Sequence, residues 1–399
     1  MPSNLSSRGL HRSLLARLLA GAALTLAGGG CVRASSTRAD AMSGMAPEPL
    51  GEDRLSLHWK FEAADRRSEV APQEFASPAI YADTLFLGSA SGWFHALRAS
   101  NGAVRWRAKV GSVSSAPLVL GTTLYVGTAD GALVALDAQT GAEKWRYQSR
   151  GPISETPAAT SEMIVFSNEA DQVVALDAIT GKFRWQYKVE TPEEYTLRGH
   201  AGVTSDGELL YTGFANGTLV ALRRDTGSVA WSTSLKADAD RFMDVDATPL
   251  VLDGTLFVSS SSGGVYALDK LTGQVRWRLP FWDVSMPSST GNVGGLTTDR
   301  RLLYVGVADL GTYAIDLAGN VVWRVGARGG GEPATPTVVG DLLIYALAND
   351  GMFIADRRTG ETLEYFDPGD GVSSTPTVTG DGRLFVMSNR GTLYAFDLE

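Results

Sequence analysis

The sequence predicts an all-β chain: an eight-bladed β-propeller of four-stranded antiparallel blades, with its ring closed by the N-terminal strand. Three observations predict it. A tryptophan returns every 39 to 46 residues, at Trp106, Trp145, Trp185, Trp231, Trp277 and Trp323, and a degenerate copy ends at Tyr365. Each follows a similar phrase, written in full as Leu136-Asp137-Ala138-Gln139-Thr140-Gly141-Ala142-Glu143-Lys144-Trp145 and again from Leu176 to Trp185. A period near forty with strand-like content is one propeller blade per repeat. The last repeat stops at Asp397 without an outer strand, while Leu57-His58-Trp59-Lys60-Phe61 carries the tryptophan with no blade before it. Residues 55–61 should therefore complete blade eight and pair edges that would otherwise invite aggregation.

The chain opens differently. Residues 1–30 hold Arg8, Arg12 and Arg17 around an apolar run from Leu18 to Ala27, then three glycines, and no acid. This is the pattern of an export signal, too short for a membrane span. Cys31 is the only cysteine, so no disulfide forms within the chain. A lone cysteine after such a signal resembles the lipidation site of bacterial lipoproteins, where two kinds of acylation give stable anchoring. Gly28 stands where those signals usually have leucine, and Val32 replaces the aspartate that retains many of them at the inner membrane. The expected destination is the outer membrane. Residues 31–54, small, polar and bearing proline and glycine, read as a flexible tether, and residues 55–399 as the propeller.

The 399 residues carry net charge −9, and loss of residues 1–30 removes three arginines to leave −12. An acidic chain without basic runs is a poor nucleic-acid binder. Within blade two, residues 115–120, 123–128, 132–136 and 143–147 read as the four strands, with Gly131 and Gly141 in the turns. The turn aspartates should bond backbone N–H groups, and the tryptophans should wedge between blades rather than stack a ligand.

Inner strands begin near Pro78, Pro117, Pro157, Gly202, Pro249, Gly294, Pro336 and Pro376. Most links from outer-strand aromatic to next landmark run 11 to 13 residues, but Trp185 to Gly202, Trp231 to Pro249 and Trp277 to Gly294 run 17 or 18. Such links share one face of a propeller, so blades three to six should carry a raised rim, and insertions of this kind commonly carry function. The rim holds Glu193 to His200, Asp238 to Asp246 and Pro280 to Pro287, with aromatic, Leu, Met and Arg residues among acids. That composition suits a protein interface.

Two of these loops resemble a known family. Tyr195-Thr196-Leu197-Arg198-Gly199 and Asp240-Arg241-Phe242-Met243-Asp244-Val245-Asp246-Ala247-Thr248-Pro249 are similar to the signature loops of the BamB family of outer-membrane assembly lipoproteins. The resemblance implies a non-catalytic scaffold that docks on the periplasmic POTRA domains of the barrel-inserting protein BamA and assists delivery of unfolded barrel proteins. It places Tyr195, Leu197, Arg198, Arg241, Asp244 and Asp246 at the partner. Leu197 and Tyr195 would supply apolar area, and Arg198 and the aspartates charge-assisted hydrogen bonds. Arg198 has a second reading, as an internal brace to Asp244 or Asp246. Tyr195 departs from the leucine common in the family.

The repeat also resembles the quinone-dependent dehydrogenases. Those are longer, use a catalytic aspartate and calcium ligands, and typically place a disulfide of adjacent cysteines at the quinone, which one cysteine cannot form. No cofactor is expected. Nor is a metal: His58, His95 and His200 are scattered, and the acids from Asp238 to Asp246 lack the glycine and terminal glutamate of a calcium loop. His200 has Ser205 and Asp206 nearby without a nucleophile elbow. The alternatives are a scaffold serving another envelope complex and a dehydrogenase dependent on pyrroloquinoline quinone.

Overall fold

The computed structural model describes residues 54–64, 69, 73–190, 200–235, 245–260, 264–281, 293–327 and 330–398. The expectations for the signal, Cys31 and the tether fall outside these residues. So do Tyr195, Leu197, Arg198, Arg241 and Asp244.

The described strands form eight four-stranded antiparallel sheets. Blade two is Leu118–Leu120, Thr123–Gly127, Ala132–Asp137 and Glu143–Gln148, close to the sequence reading. Residues 132–136 are wholly buried although they do not alternate. The third strand lies between two neighbouring blades, so both its faces are covered and no polar alternation is needed. The outer strand Glu143–Gln148 does alternate, because only one of its faces meets protein. The core is accordingly a set of seams, each drawing on adjacent blades, as where Phe86 and Phe94 meet Leu124, Val126 and Val134.

The seams explain why tryptophan, glycine and aspartate recur together. Trp106 Nε1 donates to Ala138 O of the next blade at 3.0 Å, and the same bond runs from Trp145 to Ala178, Trp185 to Arg224, Trp231 to Lys270, Trp277 to Leu317 and Trp323 to Arg357. Each indole also covers a glycine of that next turn. A Cβ on Gly141 would lie 2.5 Å from Trp106, and on Gly181 2.6 Å from Trp145. Both glycines have positive φ as well (73° and 68°), so the position is closed to side chains twice over. The turn aspartate holds the hairpin: Asp137 Oδ1 accepts from the backbone N–H of Gln139 and Thr140 and from the Thr140 hydroxyl. A β-bulge just before the tryptophan, where Ala135 faces Trp145 but Leu136 faces Glu143, turns the indole toward its neighbour.

The ring closes as expected. Leu55–Glu62 pairs antiparallel with Thr392–Leu398, from Leu55 opposite Leu398 to Glu62 opposite Thr392. Trp59 donates to Ala99 O of blade one at 3.1 Å, covers Gly102 and lies 5.7 Å from Phe385. The degenerate Tyr365 now has a reason. Blade eight takes its outer strand from the N-terminus, so it lacks the hairpin glycine and carbonyl that a tryptophan at 365 would clasp. Tyr365 donates instead to Asp350 Oδ1 within its own blade at 2.8 Å.

If this closure stabilises the ring as the other seams do, Trp59→Ala removes one indole, one hydrogen bond and the cover of Gly102. Denaturant unfolding should show a loss of about 3 kcal/mol. A loss below about 1 kcal/mol, the level of an ordinary surface substitution, would show that the N-terminal strand is not a working seam.

Candidate partner-binding face

The links from outer strand to next inner strand lie on the same face as the hairpins between second and third strands, since strands alternate in direction within each blade. Three links on this face are long, as read from the sequence: Lys188 to Thr204, Ser234 to Leu250 and Leu279 to Val293. The structure adds a fourth, Glu62 to Ala79, which enters blade one. It follows the ring-closing strand Leu55–Glu62, so no complete repeat precedes it in the sequence.

Asp246 is the one expected partner-binding residue within the described part. It is half-buried at the root of the second long link, not out on a projecting surface. Its neighbourhood joins three blades. Thr248 donates to Glu155 Oε2 at 3.3 Å, and Gly202 N donates to Thr248 Oγ1 at 3.1 Å. A Cβ on Gly202 would lie 2.4 Å from that hydroxyl, so the position is closed to a side chain. Burial pushes the Glu155 carboxyl up to about 7; the Thr248 hydrogen bond opposes this, and the Asp246 carboxylate adds to it.

Asp171, in the hairpin of blade three, lies beside both ends of the first long link. Val189 N, where the link leaves, donates to Asp171 O at 3.1 Å. Where the chain re-enters the ring, His200 Nδ1 lies 3.6 Å from Asp171 Oδ1, both side chains 2% exposed. The same oxygen accepts Ala215 N of blade four at 3.2 Å. Desolvation lowers the His200 pKa to about 4, against the pull of Asp171, so the ring is neutral near pH 7. Leaving the buried Ala215 N–H without an acceptor would cost about 1–3 kcal/mol.

His200 closes the first rim loop and Thr248 lies in the second as read from the sequence, whereas Asp171 and Glu155 lie outside both. Asp171 left a trace in the sequence, since the equivalent hairpin position in blades one, two, four and eight is Gly92, Gly131, Gly217 and Gly391. Glu155 left none, because its partners lie 93 residues away or in other blades. The hydrolytic reading of His200 is not assembled: Asp206 is taken by Lys270 and the Tyr211 hydroxyl, and Ser205 accepts from Gly207 N. Among the described residues, no group of three or more His, Cys, Asp or Glu is placed to hold a metal ion. On the far side of the same face, a polar cleft of about 380 Å³ separates blades seven and eight, lined by Asp350, Asp367, Asp370 and Arg390 among others.

The raised Glu155 carboxyl has a definite sign. The folded protein keeps a proton that the unfolded chain, with an ordinary value of 4.5, releases. Its contribution to stability is complete below about 4.5 and is lost as pH rises through about 7. Glu155→Gln should therefore gain on the wild type between pH 5 and pH 8 by about 2 kcal/mol, less than the full value of such a shift because Glu155 keeps some solvent contact. Thermal unfolding at the two pH values measures it, and an equal difference at both would refute the assignment.

Comparison with known proteins agrees with this architecture. The family model described as outer membrane protein assembly factor BamB matches residues 112–281 and 261–363. Relatives of that name include one from Kangiella koreensis, 29% identical over 42% of this chain and 42% of its own, and one from Alkalilimnicola ehrlichii, 30% identical over 38% of this chain and 39% of its own. The chain thus matches about two fifths of the length of these relatives. Among solved structures, BamB from Moraxella catarrhalis matches with a TM-score of 0.69 at 21% identity, over 86% of this chain and 99% of that one. A quinohemoprotein alcohol dehydrogenase from Pseudomonas putida gives the same TM-score at 16% identity, over 86% of this chain and 76% of its own. Likeness at these identities shows the propeller fold. The family model, which matches more than half of the residues, carries more: this chain belongs to the family of outer membrane protein assembly factor BamB.

Proposed function

We propose that this protein is a non-catalytic scaffold of the outer-membrane β-barrel assembly machinery, docking on the POTRA domains of a BamA-type protein through the long links of blades three to six. Cys31 anchors it by lipid to the periplasmic side of the outer membrane, through the tether of residues 31–54. Delivery of unfolded barrel proteins to BamA is the second part of the role. The observation that carries the docking surface is the concentration of three consecutive long links on one face, in a chain whose family is named for barrel assembly.

The division of labour follows from chemistry. Tyr195 and Leu197 supply apolar area to be covered by the partner. Arg198, Arg241 and Asp244 fix orientation by charge-assisted hydrogen bonds. Asp246, half-buried beside Glu155, belongs to the base of this surface and acts on it from within. Shared shape with dehydrogenases does not extend to a reaction, because the fold hosts sites and does not define them.

The test is a detergent-extracted pull-down from the native envelope, with eluates read by mass spectrometry. Wild type should recover the BamA-type protein. A folded Leu197→Ala/Arg198→Glu double mutant should lose it, docking being weakened by about 2–4 kcal/mol if these are hot-spot side chains. Equal recovery with both proteins would reject the assigned rim. Recovery with neither would assign the propeller to another envelope complex. Stoichiometric binding of pyrroloquinoline quinone with dye reduction would overturn the non-catalytic reading.

A further inference from the structure

We propose that the cleft between blades seven and eight binds a cationic nitrogen group, an ammonium or a guanidinium, on carboxylates that the chain itself leaves short of donors. The cleft holds about 380 Å³, at the small end of the range of ligand pockets, so it admits a side chain or a small molecule.

The cleft is a departure from the repeat. In blade two Ala129 N donates to Ser112 O of the entering link, and in blade three Glu169 N donates to Pro152 O. Blades seven and eight do the same, with Ala348 N on Glu332 O and Asn389 N on Gly371 O. The residue before each of these carbonyls is Gly111, Gly151, Gly331 and Asp370 in turn. The three glycines sit tight against the hairpin that follows. A Cβ on them would lie 3.2 Å from Asp130 Oδ1, 3.0 Å from Ala170 N and 2.9 Å from Asn349 N. In blade eight the same place carries a full carboxylate, and open space remains between the link and the hairpins of blades seven and eight. The space is preformed, because Asn389 Nδ2 donates to Ala348 O at 2.8 Å and to Asp370 O at 3.0 Å, tying the two walls together.

Asp370 lacks donors there. Its side chain is 8% exposed, yet Oδ1 has no hydrogen-bond partner. Oδ2 has Arg390 Nε at 3.5 Å, a single long contact from a half-exposed side chain, where a charge-assisted pair would close to about 2.8 Å. Burial pushes the Asp370 carboxyl above its ordinary range; Arg390 opposes this by its charge and its backbone N–H, and Asp367 adds to it. Buried acceptors are nearly always met by a donor, from the protein or from something bound.

The rest of the wall sets the sign of the ligand. Asp367 lines the same space, with Gly369 N on its Oδ1 at 2.6 Å, and Asp350 accepts the Tyr365 hydroxyl at 2.8 Å. Among the described residues, the charged side chains of the wall are these three acids and Arg390. A bare metal ion does not suit them, since among the described residues no three acids are placed to share one. An ammonium or guanidinium does, because it brings several N–H donors to separate acceptors without a closed coordination shell.

The test is ligand-observed saturation-transfer NMR on the mature protein at neutral pH and low salt, where screening is weak, with titration for Kd. Acetyl-arginine methylamide stands for a basic side chain presented by a protein on this face, and putrescine for a free amine. Acetyl-citrulline methylamide, close in shape to the first but uncharged, is the control. A cationic probe should bind about tenfold more tightly than the control, and the tighter of the two names the source. Asp370→Asn keeps the backbone carbonyl that Asn389 uses and should weaken binding about tenfold, by loss of a charged hydrogen bond. Asp367→Asn should weaken it about threefold, and Arg390→Ala should tighten it about threefold by removing the competing cation. A purely structural Asp370–Arg390 pair predicts no such gain. Thermal unfolding checks that each variant is folded; if Asp370→Asn is not, the opposite signs expected of Asp367→Asn and Arg390→Ala decide. Equal binding of the uncharged control, binding of neither cation, or changes of the same sign in the acidic and basic variants overturns the proposal.

Discussion

The ring depends on one contact made between successive blades: an outer-strand indole lying flat on the next blade's hairpin glycine, with its N–H on that hairpin's carbonyl. Blade sheets are held internally by backbone ladders, and those would form in any stack of hairpins. Registering one sheet against the next requires a contact that is large, apolar and directional at once. An indole provides all three, since its face buries area while its N–H must point at an acceptor. The glycine is the complementary half. Any side chain there would push the indole away, and the blades would splay at their outer edge.

This two-residue dependence explains how much was legible in the sequence. Trp106 and Gly141, or Trp145 and Gly181, are distant in sequence yet recur at fixed offsets, because each of blades one to six offers a glycine behind and a tryptophan ahead. Strand boundaries followed from the same repeat. So did closure by residues 55–62, because a half-blade at each end has only one way to complete a ring. The location of the raised links was readable too, as departures from a regular spacing.

What supports those links was not readable, for a physical reason. Periodicity reports what all blades share, whereas Glu155, Thr248 and Gly202 meet through the ring interior, each from a different blade. No local pattern encodes that meeting. Asp171 was visible only as an exception to glycine, one of three with Leu310 and Asp350, and such exceptions look like drift until the partners Ala215 and His200 are seen. Of the interface residues that the resemblance implies, Asp246 is half-buried beside Glu155, and the other five lie outside the described residues.

The seam in blade eight has a consequence for the order of folding. Leu55 pairs with Leu398, so the first strand of the propeller waits for the last. Every other blade is made of neighbouring hairpins and can assemble as its residues become available, with short loops to close. The final sheet must close a loop that contains the whole propeller, which places the most non-local step at the end of the reaction. Until then the incomplete ring presents two uncovered edges, one on the stranded Leu55–Glu62 segment and one on Thr392–Leu398. A chain cut short by a single strand at its C-terminus would lose the partner for its own beginning, and would keep those edges open to pairing with another molecule.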